Sequence, residues 1–382
     1  MILQTKEFKE LASSIIAAVE SNVTAKLTET LELVTVGKTL FLNVTNGEYY
    51  DSHIFTLDHE EEFKVTVDAN TFLKLIDKTT TETIELSTDG KILYFTGNGK
   101  YKLPLVLNGE SLLELPVISI QNKTLEMNIP YSILDSIATY NSRTIAKSSL
   151  AVETQKLYYL DQQGCLTYTD NEGCVNRFTL EKPIQLLLND RIVKLFKLFK
   201  NNSMVKFELG YDPISENIIQ TKICLSTANI KLTAIVQSSD ALLKKIPVTV
   251  IRNRADKDYD NKIILNKNDL LAILNRLALF TDPVKNVKPY STFKFDTLGN
   301  LTIYDVNNDN FEQISYQRGS SLTGEYVMKL DLVNFTKVIE ACSEEYLTLN
   351  FGDGKACAVT RGPITTVVAE VRSKQSTAQT QQ

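Results

Sequence analysis

The chain has 382 residues, 43% of them hydrophobic, and this length predicts two or three domains with ample core. Its formal net charge of −5 argues against a protein whose whole surface coats nucleic acid, although it leaves room for a local basic face. No apolar run reaches the ~18 residues that a membrane span needs, and the five cysteines show no CxxC spacing, so we expect reduced thiols and a cytoplasmic protein.

A short pattern recurs along the chain: an alternating strand, a polar break and an amphipathic helix. In residues 63–95 the strand ends at Val67, and apolar helix residues follow five, eight and nine positions later. Residues three and four apart share one helix face, so these positions form a single apolar stripe. The break residues Asp68, Asn189, Asn266 and Asp331 stand where an N-cap belongs.

The same offsets occur six times in chain order. The last apolar residues of the six first strands are Leu3, Val67, Ile129, Leu188, Leu265 and Leu330. About three alternating segments, separated by turn residues, follow each helix, and such alternation predicts strands with one buried face. We therefore predict six strand–helix–strand–strand–strand (βαβββ) repeats.

Two stretches predict domain boundaries. ELPVISIQNKT (114–124) separates the second repeat from the third, and the polar IRNRADKDYDNK (251–262) separates the fourth from the fifth. We thus predict an α+β protein with domains at 1–118, 119–252 and 253–373, each made of two repeats. Residues 374–382 are polar and of low complexity, which predicts a disordered tail.

Three tandem domains of two βαβββ repeats each resemble the bacterial-type DNA sliding clamp, the β subunit of DNA polymerase III. The resemblance fits a cellular or a viral member of that family equally. The resemblance covers residues 1–372. Besides the repeats it is carried by ELPVISIQNKTLEMNIPYSILDSIA, KKIPVTVIRNRADK, KIILNKNDLLAILNRLALF and PITTVVAEV. It implies a head-to-tail homodimer closed into a ring, with helices lining the hole and antiparallel sheets outside. Duplex DNA would pass through the hole, and the ring would tether the replicative polymerase for processive synthesis.

The resemblance implies phosphate-binding Lys and Arg side chains on the exposed sides of the helices. The segment RIVKLFKLFKNN of the fourth repeat is the clearest case, because it carries four cations and no acid. The candidate DNA-binding residues are Lys6, Lys9, Lys74, Lys78, Arg143, Lys147, Arg191, Lys194, Lys197, Lys200, Lys267, Arg276 and Lys337. For any one of them an ordinary solvated helix face is the alternative.

In the family, an edge of the first domain meets the third domain of the other subunit. The matching positions are Lys100, Tyr101, Lys102 and Leu103 on one side and Leu279 and Phe280 on the other. Acids near the second group, such as Glu312, would complement the lysines. The alternative for Leu279 and Phe280 is that they are ordinary core residues.

The family also has a pocket between its second and third domains that receives a short peptide from the polymerase, the clamp loader and other partners. The matching positions are Val175, Pro247, Val250, Val367 and Ala369, for which plain core is the alternative. The usual Pro- and Met-containing terminus of the family is replaced here by AEVRSKQSTAQTQQ, so the pocket shape and the partner motif are expected to differ.

No catalytic constellation stands out. The two histidines, His53 and His59, are too few for a zinc site, DVNNDN (305–310) lacks the Gly and distal Glu of a calcium loop, and GNGK (97–100) is too short for a phosphate loop. We therefore expect a protein without catalysis, metal or cofactor, whose loading would need a separate ATP-driven machine. The alternative function is a structural ring or repeat protein, such as a viral assembly component, that does not encircle DNA.

Overall fold

The computed structural model describes residues 1–20, 26–215, 218–280 and 290–371. The predicted tail at 374–382 lies outside the described residues. The helices are α1 (Thr5–Ile15), α2 (Ala69–Lys78), α3 (Tyr131–Tyr140), α4 (Asp190–Leu195), α5 (Asp240–Leu243), α6 (Val248–Ala255), α7 (Lys267–Ala278) and α8 (Leu332–Glu340).

The strands follow the predicted order, with one short hairpin added after the second repeat. Those of the first two repeats and the hairpin are β1 (Ile2–Gln4), β2 (Thr30–Val36), β3 (Thr39–Thr45), β4 (Tyr49–Thr56), β5 (Lys64–Asp68), β6 (Thr83–Thr88), β7 (Ile92–Thr96), β8 (Lys100–Pro104), β9 (Leu107–Asn108) and β10 (Ser111–Leu112). Those of the third and fourth repeats are β11 (Lys123–Pro130), β12 (Leu157–Asp161), β13 (Gly164–Tyr168), β14 (Glu172–Arg177), β15 (Gln185–Asn189), β16 (Met204–Ser215), β17 (Ile218–Ser226) and β18 (Ile230–Val236). Those of the last two are β19 (Asn261–Asn266), β20 (Tyr290–Phe295), β21 (Asn300–Tyr304), β22 (Phe311–Ser315), β23 (Tyr326–Asp331), β24 (Tyr346–Phe351), β25 (Ala356–Arg361) and β26 (Ile364–Ala369).

The chain divides into two compact units, one of residues 1–135 and 191–238 and one of residues 136–190 and 239–382. The first unit holds a four-stranded sheet, β1-β6-β7-β8, and an eight-stranded sheet, β11-β16-β17-β18-β4-β3-β2-β5. The second holds the eight-stranded sheet β15-β12-β13-β14-β26-β25-β24-β19 and the four-stranded sheet β22-β21-β20-β23. The α+β class is confirmed. The three-domain division stays a prediction, since residues 119–252 contribute to both compact units.

Consecutive repeats exchange their first strands. β1 of the first repeat pairs with β6 of the second, whereas β5 of the second pairs with β2 of the first. The third and fourth repeats and the fifth and sixth repeats exchange theirs in the same way. A repeat therefore cannot complete its own sheet, which explains why the repeats come in pairs.

Three of the predicted N-caps form their hydrogen bonds. The carboxylate of Asp68 accepts from the N–H of Thr71 at 2.7 Å, and Asp331 caps α8 in the same manner. Asn266 accepts from two N–H groups at the start of α7. Such caps satisfy amide groups that have no partner within the helix.

The predicted apolar stripe of each helix faces a sheet. Phe72 and Phe335, at the same position of the second and sixth repeats, are fully buried. Phe72 packs edge-on against Phe95 at 6.3 Å between ring centroids, and Phe335 packs against Phe293 at 5.3 Å. In the fourth repeat the position nine residues after Leu188 holds Lys197 where the other repeats have an apolar residue, and this side chain is exposed, as its charge requires.

Candidate functional site

The last strands of the repeats decide how the sheets are joined. β18 pairs with β4 in the first compact unit, and β14 pairs with β26 in the second, which produces the two eight-stranded sheets. The remaining last strands, β8 and β22, stand at the ends of four-stranded sheets and have no strand on their outer side among the described residues. Each therefore presents a row of open backbone groups, a template for pairing with another chain.

The predicted interface residues of β8 lie along its open edge. Lys100, Tyr101 and Lys102 are exposed, whereas Leu103 is buried against the sheet. The ring of Tyr101 contacts that of Phe95 at 6.0 Å, which holds it at the edge. This edge is basic.

The surface beside β22 is apolar and acidic. Leu279 and Phe280, at the end of α7, are 81% and 50% exposed, and Phe311 at the start of β22 is 62% exposed. Leu279 and Phe280 are therefore not core residues. Arg276 of α7 binds Glu312 of β22 through Nε at 2.8 Å and Nη2 at 2.5 Å, and this bond holds the pKa of Glu312 below its usual value.

Most of the predicted DNA-binding cations reach the surface. Lys9 and Lys267 are half-buried and the other eleven are exposed. Ion pairs with acids of the described residues limit the use of Lys9, Lys78, Arg191 and Arg276 for phosphate binding.

The fourth helix keeps the densest row of cations. α4 ends at Leu195 and continues as a 3₁₀ turn over 196–199, and Ile192, Val193 and Phe196 are buried beneath it. Lys194, Lys197 and Lys200 are exposed. Residues three apart stand nearly above one another in such a turn, so these lysines form one basic stripe.

A cavity of about 390 Å³ lies beside α6 in the second compact unit, on the face of the sheet around β14 and β26. Four of the five predicted peptide-pocket residues line it: Pro247, Val250, Val367 and Ala369. Val175 does not line it. Its side chain is 3% exposed and packs in a core cluster with Leu157, Leu166 and Ile246.

Three ion pairs fix the position of α6. Arg252 binds both carboxylate oxygens of Asp161, each at 2.8 Å, and Arg254 binds Asp353. Asp256, at the C-terminal end of the helix, binds Arg177 of β14. Partial burial raises the pKa of the Asp353 carboxylate, but the bond from Lys257 and two backbone N–H bonds outweigh it and hold that pKa at about 2.

The helix also needs a glycine beneath it. A Cβ at Gly173 of β14 would stand 2.7 Å from Cγ2 of Ile251 in α6, closer than two carbon atoms can approach. The missing side chain therefore lets α6 lie against the sheet and form one wall of the cavity.

No family model matches the sequence, and no curated protein is similar to it in sequence. Solved structures are similar along nearly the whole chain. The DNA polymerase III subunit β of Pseudomonas aeruginosa is 15% identical over 98% of this chain and 100% of that chain, with a TM-score of 0.81. The DNA polymerase sliding clamp of Bacillus subtilis is 13% identical over 97% of this chain and 98% of that chain, with a TM-score of 0.78. The chain has the sliding-clamp fold.

The clamp fold confirms the resemblance read from the repeats, at the level of the fold. Sequence reasoning missed α6, whose second half lies in the polar, charged stretch 251–262 that was interpreted as a domain boundary. It also missed Gly173 and Ile251, which line the cavity. The described residues contain neither a helix able to cross a membrane nor a His, Cys, Asp and Glu cluster able to hold a metal.

Proposed function

We propose that this protein is a DNA sliding clamp, a non-catalytic ring that encircles duplex DNA and tethers the replicative polymerase during processive synthesis. The observation that carries the proposal is the clamp fold, found along 98% of the chain, together with two open strand edges. The ring would be a head-to-tail homodimer, located in the cytoplasm at the nucleoid or in the host cytoplasm for a viral protein.

A pairing rule within the chain supports the head-to-tail arrangement. We call the last strands of the first, third and fifth repeats odd (β4, β14, β22) and those of the second, fourth and sixth even (β8, β18, β26). Both junctions inside the chain join an even strand to an odd one. Under the same rule β8 pairs with β22 of a second copy, and neither edge pairs with itself. Such heterologous contacts form rings when the rotation closes.

The register of that contact can be transferred from the two junctions. To compare the strands, we follow the directly opposite residues from strand to strand across each sheet, starting at the same position of each first strand. The residues reached in this way on the odd strands, called reference residues, are His53, Asn176 and Glu312. Those of the even strands are Tyr101, Leu232 and Thr366.

In both junctions the reference residue of the even strand lies opposite a residue of the odd strand. That residue comes two positions before the odd strand's reference residue in the sequence. Leu232 lies opposite Asp51, and Thr366 lies opposite Cys174. The equivalent antiparallel contact sets Tyr101 opposite Asn310 of the second copy and Lys100 opposite Phe311. It also sets Lys102 opposite Asp309, so the transferred register matches opposite charges.

The basic stripe Lys194, Lys197 and Lys200 is the strongest candidate for phosphate contact in the ring. Exposed lysines bind phosphates through salt-sensitive contacts that carry no sequence information, which suits a ring that slides. The cavity beside α6 would receive a short peptide of the polymerase and of the ATP-driven clamp loader, since it is concave with an apolar floor.

A designed disulfide tests the ring and its hold on DNA. We expect Lys100→Cys with Phe311→Cys to cross-link two copies on oxidation, because residues opposite each other on paired strands meet the distance limits of a disulfide. The five native cysteines are buried and should not interfere. Dissociated subunits would be mixed with circular plasmid, oxidised and washed in high salt, and the plasmid then cut.

We expect the cross-linked protein to stay on the circular plasmid through the wash and to be released when the plasmid is cut. The matched control, Lys100→Cys with Gln313→Cys, places the second thiol two residues out of register and should cross-link poorly. A cross-linked ring that washes off the intact circle would contradict encirclement and favour a structural ring that does not hold DNA. Efficient cross-linking of the control alone would contradict the transferred register.

A further inference from the structure

A serine, a histidine and an aspartate meet beneath α1 in the first compact unit. The hydroxyl oxygen Oγ of Ser14 in α1 lies 3.0 Å from Nδ1 of His53 in β4. On the other side of the imidazole ring, Nε2 lies 3.0 Å from Oδ2 of Asp51, two residues earlier in the same strand. A hydroxyl, an imidazole and a carboxylate in this order are the groups of an activated nucleophile.

The three groups differ in their access to solvent. His53 and Asp51 are fully buried, whereas Ser14 is partly exposed, so a small molecule reaches the group at the hydroxyl. Among the described residues neither carboxylate oxygen of Asp51 has an aligned hydrogen-bond donor, so this side chain acts on the imidazole through its charge. A buried carboxylate without donors is costly, and a proton gained by the imidazole would give it a counter-ion.

The carboxylate also selects the tautomer of the imidazole. A carboxylate accepts hydrogen bonds and donates none, so the nitrogen that faces it, Nε2 of His53, carries the hydrogen of the neutral ring. Nδ1 then presents its lone pair to Ser14. The carbonyl of Leu11, 2.7 Å from Oγ, competes for the single hydroxyl hydrogen, as backbone carbonyls do for many helical serines. Both acceptors are within reach of the same Oγ position, so the hydrogen can turn to Nδ1 without a change of rotamer.

The fold does not require these groups. The serine stands eleven positions after the end of the first strand of its repeat, and the histidine is the reference residue of β4. The equivalent positions hold Tyr140 and Asn176 in the third repeat and Arg276 and Glu312 in the fifth. Those repeats form the same strands and the same helix, so the architecture does not depend on a buried imidazole and carboxylate.

We propose that Ser14 is an acyl-acceptor site, at which a small activated acyl donor, such as an acyl phosphate or an aryl ester, acylates Oγ. His53 is the general base, and Asp51 is a positioning residue that acts through it. The bond from Oγ to the acyl carbon forms while the bond from that carbon to the leaving oxygen breaks, and the hydroxyl hydrogen passes to Nδ1 of His53. The leaving group departs as an anion. The step is a single modification without turnover, so it is compatible with a non-catalytic clamp and does not depend on that function.

The position of the base sets the class of donor. His53 lies buried behind the hydroxyl, so its proton is not delivered to a group that departs into solvent. The leaving group must therefore be stable as an anion, as phosphate and phenolate are. The partial exposure of Ser14 limits the acyl group to a small one such as acetyl.

Mass spectrometry of the full chain after treatment with p-nitrophenyl acetate or acetyl phosphate tests the site. Trypsin releases residues 10–26 as one peptide that contains both Ser13 and Ser14. Ser13 is the matched control within the same molecule, because it is more exposed and its Oγ donates to the carbonyl of Glu10 at 2.8 Å. We expect Ser14 to be acylated about 100-fold faster than Ser13, as general-base assistance allows. Hydroxylamine should remove the group, because it cleaves esters and leaves amides intact.

Asp51→Asn keeps the shape of the side chain and removes its charge. In a variant with an unchanged circular dichroism spectrum, acylation of Ser14 should slow by about tenfold or more, while Ser13 stays unchanged. Nitrogen NMR gives a second measure, because the chain has two histidines and the exposed His59 is the reference. The wild type should show His53 with its hydrogen on Nε2, and the variant should lose this preference while the signals of His59 remain the same.

Two results would overturn the proposal in different ways. Equal acylation of Ser13 and Ser14 in the wild type would eliminate the acyl-acceptor site, and this comparison needs no variant that folds. A wild-type rate at Ser14 in folded Asp51→Asn, with unchanged signals of His53, would eliminate the part assigned to Asp51.

Discussion

The Nε atom of Arg191 lies 2.7 Å from Oε1 of Glu20, and its Nη1 lies 3.1 Å from a carboxylate oxygen of Glu48. Arg191 belongs to the helix with the strongest basic pattern in the sequence, yet its charge is matched by two acids. Asn46 donates to the same oxygen of Glu20 at 3.0 Å, which extends the network. A cation held in this way contributes less to phosphate binding than an exposed lysine.

Arg191→Ala should therefore behave differently from Lys197→Ala. In duplex binding measured as a function of salt, Lys197→Ala should weaken binding and lower the slope of log Kd against log salt by about one. Arg191→Ala should change the slope less and lower the free energy of unfolding by about 1 kcal/mol or less, since the pair is half exposed. Equal slopes for the two variants would show that Arg191 contacts phosphate.

Leu279 and Phe280 should determine subunit affinity. Replacing both with Asp should weaken the dimer about 100-fold or more in sedimentation experiments, because each loses apolar burial at the contact. The melting temperature of the dissociated subunit should stay unchanged, since both side chains are exposed in it. Leu298→Asp, in the turn between β20 and β21 and 87% exposed, is the control and should leave the dimer intact. Equal loss in the control would argue for a general charge effect.

Gly173→Ala should loosen α6. The new methyl group would meet Ile251 at 2.7 Å, so the helix must shift or the core must strain. We expect a loss of about 1 to 3 kcal/mol in the free energy of unfolding by urea. Gly324→Ala, where a Cβ would meet no atom within 4 Å, is the control and should cost little. Adding Ile251→Ala to Gly173→Ala should recover part of the loss, and failure to do so would place the strain elsewhere.

Glu172 should make stability depend on pH. Burial, and next the charge of Asp331, raise its pKa to about 7 from the ordinary 4.5, while Lys337 opposes the shift. The folded chain then holds this proton more tightly than the unfolded chain, so the contribution is present below about pH 4.5 and is lost as the pH rises through about 7. The loss should reach about 3 kcal/mol at most.

Urea unfolding of the wild type and of Glu172→Gln at pH 5 and pH 8 checks this expectation. The variant should lack the part of the loss that the carboxyl group causes. Glu110→Gln, at an exposed position, should follow the wild type. A Glu172→Gln variant with the full pH dependence of the wild type would assign that dependence to other groups.

Much of the architecture could be predicted from local patterns. The offsets after Val67 and Leu330 identified helices whose stripes are buried, and the polar residues before α2, α7 and α8 are caps that bond as expected. Both signals depend only on residues within one turn or one strand of each other. For the same reason the sequence predicts the exposure of Lys197, the one polar residue at the apolar positions of the six repeats.

The features that only the tertiary structure decided involve residues far apart in sequence. Three features depend on which elements become neighbours, about which a periodic pattern carries no information: the exchange of first strands, the burial of Val175 in the core and not at the cavity, and the pairing of Arg191 with Glu20. The need for glycine at position 173 was likewise not predictable from local patterns, because it arises from the close approach of Ile251, which is distant in sequence. The sequence by itself determined the repeats and their strands and helices, through spacing and capping. The fold alone decided which edges stay open, which charges remain available and where the cavity forms, because these follow from contacts between distant parts of the chain.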